Sequence, residues 1–514
     1  SISAPASTGP ITLASAGARP SQLNTRRIVA LPVDARPVVR EQVCTLMRTA
    51  GWDLAVPPVA MLGFLRNPAD RDAITAWLEQ ESRDAEGIIV SIDMLVYGGL
   101  VPSRLIDDPL DALLPRLNIL RDLKSANPGR PLYAFASTMR ISNNNVAEEE
   151  KDYWATHGKA IWQWSFAHDR AQTSGLKSDI DAARDAQSRV PDSIREDYLA
   201  TRARNRAVTA RALDFVEAGI IDRLILPQDD TAQYGFNIAE RRKWQDEISR
   251  RQLTDRVFIY PGADEVLHTL GAYLAGRLEP HPTVRVALVF DDADGAKAMT
   301  ARYEDRPLME TLRGQADAAG VELVDEPAST DIVVLVHTRG NTQGDHAMGI
   351  PVESVSHNLD AMTRMAGLAN AGKRVAILDC AYANGGDVSF VEALHTLLPM
   401  DRWFGYAAWN TAGNRIGNLF AHCVLATLGA ENTEFTAMRV LEDALYQGQY
   451  RHAIRTCIDE TAMEPADLEN AVRDAFVGPA NAWAQNHGLA WRIKDIDLPW
   501  NRTFEIGLTL ERTA

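Results

Sequence analysis

RRIVALPVDARP (residues 26–37), AGWDLAVPP (50–58), AEGIIVSIDM (85–94), GRPLYAFAST (129–138) and DRLILPQDD (222–230) form a series of short apolar runs. TVRVALVFDDADG (283–295), AGVELVDEP (319–327), TDIVVLVHT (330–338), GKRVAILDCA (372–381) and DRWFGYAAWNT (401–411) write the same pattern a second time. Each run is rich in β-branched residues, which suits a parallel strand covered on both faces. Helix-like stretches separate most of them, as repeated βα units require. The reading is α/β: two Rossmann-like parallel-sheet lobes facing a shared cleft, with a helical insertion and a helical C-terminal region. A (β/α)8-like barrel plus a second α/β domain is the alternative. Both architectures place ligands beyond the carboxyl ends of the strands. Asp34, Asp93, Thr138, Asp229 and Asp230 of the first copy are therefore expected to meet Asp291, His337, Asp379 and Asn410 of the second in one cleft.

The 514 residues exceed what one core usually supports. Residues 27–280 read as the first lobe, with the charge-rich insertion at about 143–219 and a further strand in RVFIYPGADE (256–265). EPHPT (279–283) is the junction, residues 281–430 the second lobe, and residues 431–514 a helical region. The alternation in IKDIDLPWNRTFEIGLTLE (493–511) predicts a closing strand pair. Residues 1–26, rich in Ser, Ala, Gly and Pro, read as a disordered leader of an exported, periplasmic or secreted protein. Nothing in the sequence sets an oligomeric state.

A formal net charge of -16 argues against nucleic acid and anionic lipid as partners and leaves neutral or cationic ligands open. No run is long and apolar enough for a membrane span. The four cysteines lack metal-ligand spacing and fall in core-like runs, which suits small buried thiols. GxGxxG, GxxxxGK[ST], GxSxG and HExxH are all missing, which disfavours nicotinamide, NTP, serine-hydrolase and zincin chemistry. No cofactor and no metal is expected. The tryptophans Trp154, Trp162 and Trp164 read as the core of the insertion.

The chemistry-bearing residues cluster at strand ends. SIDMLVYGGLVPSRL (91–105) offers Asp93, Tyr97 and Arg104 around a glycine pair that permits close backbone approach. LPVDARPV (31–38) offers Asp34 and Arg36, equally readable as an ion pair before a helix. STMRISNNN (137–145) supplies Arg140, Asn143 and Asn144. In LPQDDTAQYGFN (226–237) the adjacent carboxylates Asp229 and Asp230 point different ways and can hold different pKa values. Gln233, Tyr234 and Asn237 share that loop, and PGADEV (261–266) adds Asp264 and Glu265. LDCAYANGGDVSF (378–390) and AAWNTAGNRIGNLF (407–420) contribute Asn384, Asp387, Trp409, Asn410 and Asn414.

Through PVDARPV, SIDMLVYGGLVPSR, LPQDD, DCAYANGGD and GYAAWNTAGNRIG, the chain resembles the bacterial domain-of-unknown-function family 4127 over nearly its whole length after the leader. The resemblance names no mechanism; it implies an exported protein associated with carbohydrate use. The Asp229–Asp230 pair is also similar to the Asp–Asp pair of barrel hexosaminidases such as glycoside hydrolase family 84.

Together these features predict a glycoside hydrolase acting on a glycan, since glycosidic cleavage needs one carboxylic acid and a second carboxylate. Asp230 is the expected acid, with Asp93 or Asp229 as its partner. Asp34, Arg36, Tyr97, Arg104, Arg140, Asn143, Tyr234, Asn384, Asp387, Trp409, Asn410 and Asn414 are the expected sugar-binding residues. Two alternatives stand beside this reading. One is a non-catalytic periplasmic sugar-binding protein whose lobes close on a ligand. The other is a metal-assisted hydrolase using Asp93, Asp229, Asp230, Asp291 and Asp292 with a hard cation.

Overall fold

The computed structural model describes residues 26–352, 356–429 and 431–513. The expected leader, apart from Arg26, lies outside the described residues.

Strands β1 (Arg26–Leu31), β2 (Trp52–Ala55), β3 (Gly87–Ser91), β4 (Leu132–Phe135), β5 (Arg223–Gln228) and β6 (Val257–Pro261) form one parallel sheet in the order β2-β1-β3-β4-β5-β6. The second series is β7 (Val284–Phe290), β8 (Val321–Val324), β9 (Ile332–His337), β10 (Gly344–Asp345), β11 (Arg374–Asp379), β12 (Tyr382–Ala383) and β13 (Gly405–Ala407). Its main sheet runs β13-β11-β9-β7-β8, again all parallel, while β10 and β12 form a separate short ladder. Counted from each lobe's first strand, both sheets follow the doubly wound order 2-1-3-4-5, and the first lobe adds a sixth strand. Both sheets are open, so the barrel alternative falls, and with it the architectural side of the hexosaminidase likeness. After β6 and the helix that follows it, the chain crosses to the second sheet instead of returning to pair with β2.

The alternation of side chains along each strand builds three apolar layers. In β1, Ile28 and Ala30 face one layer while Val29 and Leu31 face another. In β9, Val334 and Val336 join the same layer as Ile28, while Val333 and Leu335 turn away. One core is therefore shared by the two sheets. It is filled by the helices Glu41–Thr49, Val266–Leu278, Leu308–Ala319 and Ala412–Leu428. The last of these is buried on every side from Ala412 to Ala426, as a helix between two sheets must be.

Three helices, Trp154–Ser174, Lys177–Ser188 and Asp192–Glu217, make up the insertion between β4 and β5. Trp154 and Trp164 sit in its small core, and Trp162 stacks on Phe166 with ring centroids 5.2 Å apart. The closing pair is β14 (Trp491–Asp497) with β15 (Gly507–Arg512), antiparallel. Among the described residues no helix is long and apolar enough to cross a membrane. Cys380 and Cys423 are buried thiols, but Cys44 is half-buried and Cys457, on the last turn of the helix Arg451–Cys457, is exposed.

Candidate functional site

A cavity of about 200 Å³ opens where the carboxyl ends of β1, β5, β6, β12 and β13 converge. Asp229 and Asp230 follow β5 directly, and Asp264 follows β6. Asn384 and Asn410 come from the second lobe, so the two lobes share one site.

The backbone around this cavity is strained in a concentrated way. Seven described non-glycine residues adopt positive φ, and four of them line the cavity: Asp230 (φ 41), Tyr303 (φ 66), Asn384 (φ 57) and Asn410 (φ 51). Such left-handed conformations cost of order 1 kcal/mol or more and persist only where neighbours enforce them. The enforcing contacts are visible. Thr231 donates from its backbone N and its Oγ1 to the Tyr303 carbonyl, at 2.7 and 3.1 Å, tying the loop after β5 to the second lobe. Asn384 N donates to the Asn410 carbonyl at 2.8 Å, and Arg415 Nη2 donates to the same oxygen at 2.6 Å.

Four arginines reach the cavity, and each is matched by carboxylates. Arg36, itself buried, is clamped between Asp34 (Nη2 to Oδ2 2.9 Å) and Asp264 (Nη2 to Oδ1 2.6 Å). Arg104 donates to Asp229 Oδ2 at 3.4 Å. Arg140 donates to Glu150 Oε1 at 2.8 Å, Glu149 Oε2 at 3.0 Å and Asp230 Oδ2 at 3.3 Å. Arg502 pairs with Glu505 and donates to Glu148 Oε2 at 3.0 Å. The result is a near-neutral wall dense in alternating donors and acceptors.

The electrostatics couple the two adjacent carboxyls. Burial and then the charge of Asp230 push Asp229 up to about 7, against the pull of Arg140 and Arg104. Burial raises Asp230 as well, but Arg140 and Arg104 oppose that rise first. Because the two interact, the proton held near neutrality belongs to the pair. Burial alone would raise Glu149, but Arg140, Arg502 and Arg104 hold it well below the usual carboxylate range.

Of the expected site residues, Arg36, Arg104, Arg140, Asp229, Asp230, Asn384 and Asn410 line the cavity. Three stand one layer behind it. Asp34 holds Arg36; Trp409 donates from Nε1 to Asp264 Oδ2 at 3.2 Å; Asn414 Oδ1 accepts from the backbone of Ala263 and Asp264 at 3.0 and 3.1 Å.

The remaining expectations are corrected. Asp93 is buried and spends Oδ2 on the backbone N of Ser137 at 2.9 Å, joining β3 to the end of β4. Burial pushes it up to about 6, yet it does not reach the cavity. Tyr97 is buried behind it with Arg204 over its ring at 5.6 Å. Asn143 points to solvent and its neighbour Asn144 takes the lining position. Tyr234 packs edge-on against Phe166 of the insertion, 5.3 Å between centroids. Thr138 accepts from Gln228 Nε2 at 2.8 Å and bridges strand ends.

Asp387 belongs to a different cluster, at the end of β9. It accepts from His337 Nε2 at 2.9 Å, while Asp291 takes His337 Nδ1. Burial would lower this histidine, but the two carboxylates outweigh it and raise it to about 10. Asp387 also caps the helix Val388–Leu397, and its backbone N donates to Asp379 Oδ2 at 2.7 Å. Asp291, His337 and Asp379 therefore satisfy one another inside the second lobe and do not meet Asp229 and Asp230. Among the described residues no three His, Cys, Asp or Glu side chains are grouped as a metal ion requires.

Asp264, Glu149, Tyr303 and Arg502 also line the cavity. Asp264 was within reach as a strand-end carboxylate. Arg502 had a faint signal, one cation among aromatics in PWNRTF (499–504), inside an otherwise alternating strand pair. Glu149 lay in an acidic run that reads as a solvated helix face, and Tyr303 carried no signal.

The chain belongs to the family described as a protein of unknown function (DUF4127), whose model matches residues 28–509. No curated protein matches it.

Proposed function

We propose that this member of the family is a glycoside hydrolase, with Asp229 as general acid and Asp230 as its partner carboxylate. The observation that carries the reading is the Asp229–Asp230 pair at the end of β5. Its two carboxyls line one cavity, where burial and the charge of Asp230 push Asp229 up to about 7. This reverses the order expected from sequence, and it removes Asp93 from the pair because Asp93 is committed to Ser137. In cleavage, Asp229 donates its proton to the leaving glycosidic oxygen, and Asp230 stays ionised to activate water or meet the developing positive charge. The paired Arg36, Arg104, Arg140 and Arg502, with Asn144, Asn384 and Asn410, offer the mixed donors and acceptors that a polyhydroxylated ring takes up.

A non-catalytic binder that closes on its ligand is the rival. Closure needs lobes that swing as separate bodies. Here a single apolar core runs from Ile28 through the shared helices to Val334, which argues against such a hinge.

The test is a screen of oligosaccharides for new reducing ends, followed by a pH profile on any substrate found. An acid with a pKa near 7 works only while protonated. kcat/KM is therefore expected to fall on the alkaline side of about pH 7, approaching tenfold per pH unit. A profile still rising through pH 8 would remove Asp229 from the acid role.

A further inference from the structure

We infer that the pocket beside the main cavity, walled by Arg451, His452, Arg455 and Thr456, is an anion subsite for the carboxylate or sulfate group of an acidic saccharide. The inference rests on the glycan reading of the main cavity and names the substrate class.

The two cavities adjoin. Ala347 lines both, and Phe504 lines the main one while its ring lies 4.3 Å from the Arg451 guanidinium. Their charge design differs. Every arginine of the main cavity has a carboxylate partner, whereas among the described residues no Asp or Glu lines the side pocket of about 280 Å³. Arg451 is only 6 % exposed, yet among the described residues its side chain makes a single hydrogen bond, from Nη1 to the neutral Gln447 Oε1 at 3.4 Å. Its Nε is buried with no partner among the described residues. Burial drags this guanidinium down to about 10, with Tyr446, Glu505 and Glu460 offsetting only part of the effect. A buried cation left unpaired is costly, so an incoming anion recovers what the fold leaves unsatisfied.

The rest of the pocket fits that role. Arg451, His452 and Arg455 lie within one turn of the helix Arg451–Cys457, with 451 and 455 stacked on the same face. Arg455 lines the pocket and pairs with Glu460 only at the long distance of 3.8 Å. The preceding residues, Val440–Tyr450, are wound as a π-helix, a rare geometry that recurs at functional sites and here sets the face on which Arg451 emerges. His346 closes the pocket as a wall, its Nε2 engaged with the Gly386 carbonyl at 2.8 Å and its ring stacked on Tyr382 at 4.0 Å. The chain's net charge of -16 favours neutral or cationic ligands in general; this pocket reverses the sign locally.

The test is calorimetric titration of the whole chain with sodium glucuronate, sodium sulfate and glucose. Saturable binding of at least one anion and none of glucose is expected, and preference between the two anions distinguishes a uronic acid from a sulfated sugar. Arg451→Gln is expected to weaken that binding at least about tenfold, equivalent to about 1.4 kcal/mol. Arg455→Gln, on an exposed side chain that folding does not need, is expected to weaken it less. Asp229→Asn is expected to bind the anion like the wild type, so the subsite stands or falls independently of catalysis. The inference is overturned if neither anion binds saturably, or if binding survives unchanged in both arginine variants.

Discussion

Asp229→Asn is expected to lower kcat/KM on a confirmed glycan substrate by about 10²–10⁴-fold, the usual contribution of a positioned general acid. The substitution keeps shape and retains an oxygen for Arg104, which now donates to Asp229 Oδ2 at 3.4 Å, so the fold is expected to survive. Asp230→Asn tests the same pair from the other side. It removes the charge that, after burial, does most to raise Asp229. Any residual activity in that variant is therefore expected to show its alkaline limb shifted to lower pH. Wild-type rates in Asp229→Asn, measured with the protein folded, would end the assignment.

The second large effect is on stability. Arg36→Met is expected to destabilise the protein by about 3–5 kcal/mol, because it strands Asp34 and Asp264 as buried carboxylates without their shared cation. Burial already raises Asp34, with Arg36 the main opposing influence; without Arg36 its carboxyl rises further. A raised carboxyl adds stability at low pH and loses it as pH rises through the folded value. The deficit of Arg36→Met is thus expected to shrink toward acid pH, read as denaturant midpoints near pH 7 and near pH 5. An equal midpoint to wild type at neutral pH would mean that water, not Arg36, compensates these charges.

The strands were legible because a parallel strand covered on both faces has to be a nearly continuous apolar run, as IVVLVH in β9 is. Repetition of that signal also disclosed the two lobes, and the doubly wound order put the strand ends at one cleft. What those ends do was less legible, since a carboxylate closing a strand is written identically whether it faces solvent or a backbone N–H. Asp93 and Asp387 read like Asp229, yet Ser137 N takes the first and His337 the second. Residues supplied by irregular segments, Tyr303 and Arg502, have no periodicity to betray them. Their place depends on contacts such as Thr231 to the Tyr303 carbonyl, which exist only after the lobes join.

The central claim, that the cavity holding Asp229 and Asp230 cleaves a glycosidic bond, is tested most directly by product analysis in heavy-oxygen water. Neutral and acidic oligosaccharides are incubated with the wild-type protein and with Asp229→Asn, and the products are read by mass spectrometry. The account predicts shortened products carrying one heavy oxygen at each new reducing end from the wild type, formed about 10²–10⁴-fold more slowly by Asp229→Asn. Calorimetric binding of a saccharide that stays intact through prolonged incubation, with no label incorporated, would contradict it and identify a binding protein instead.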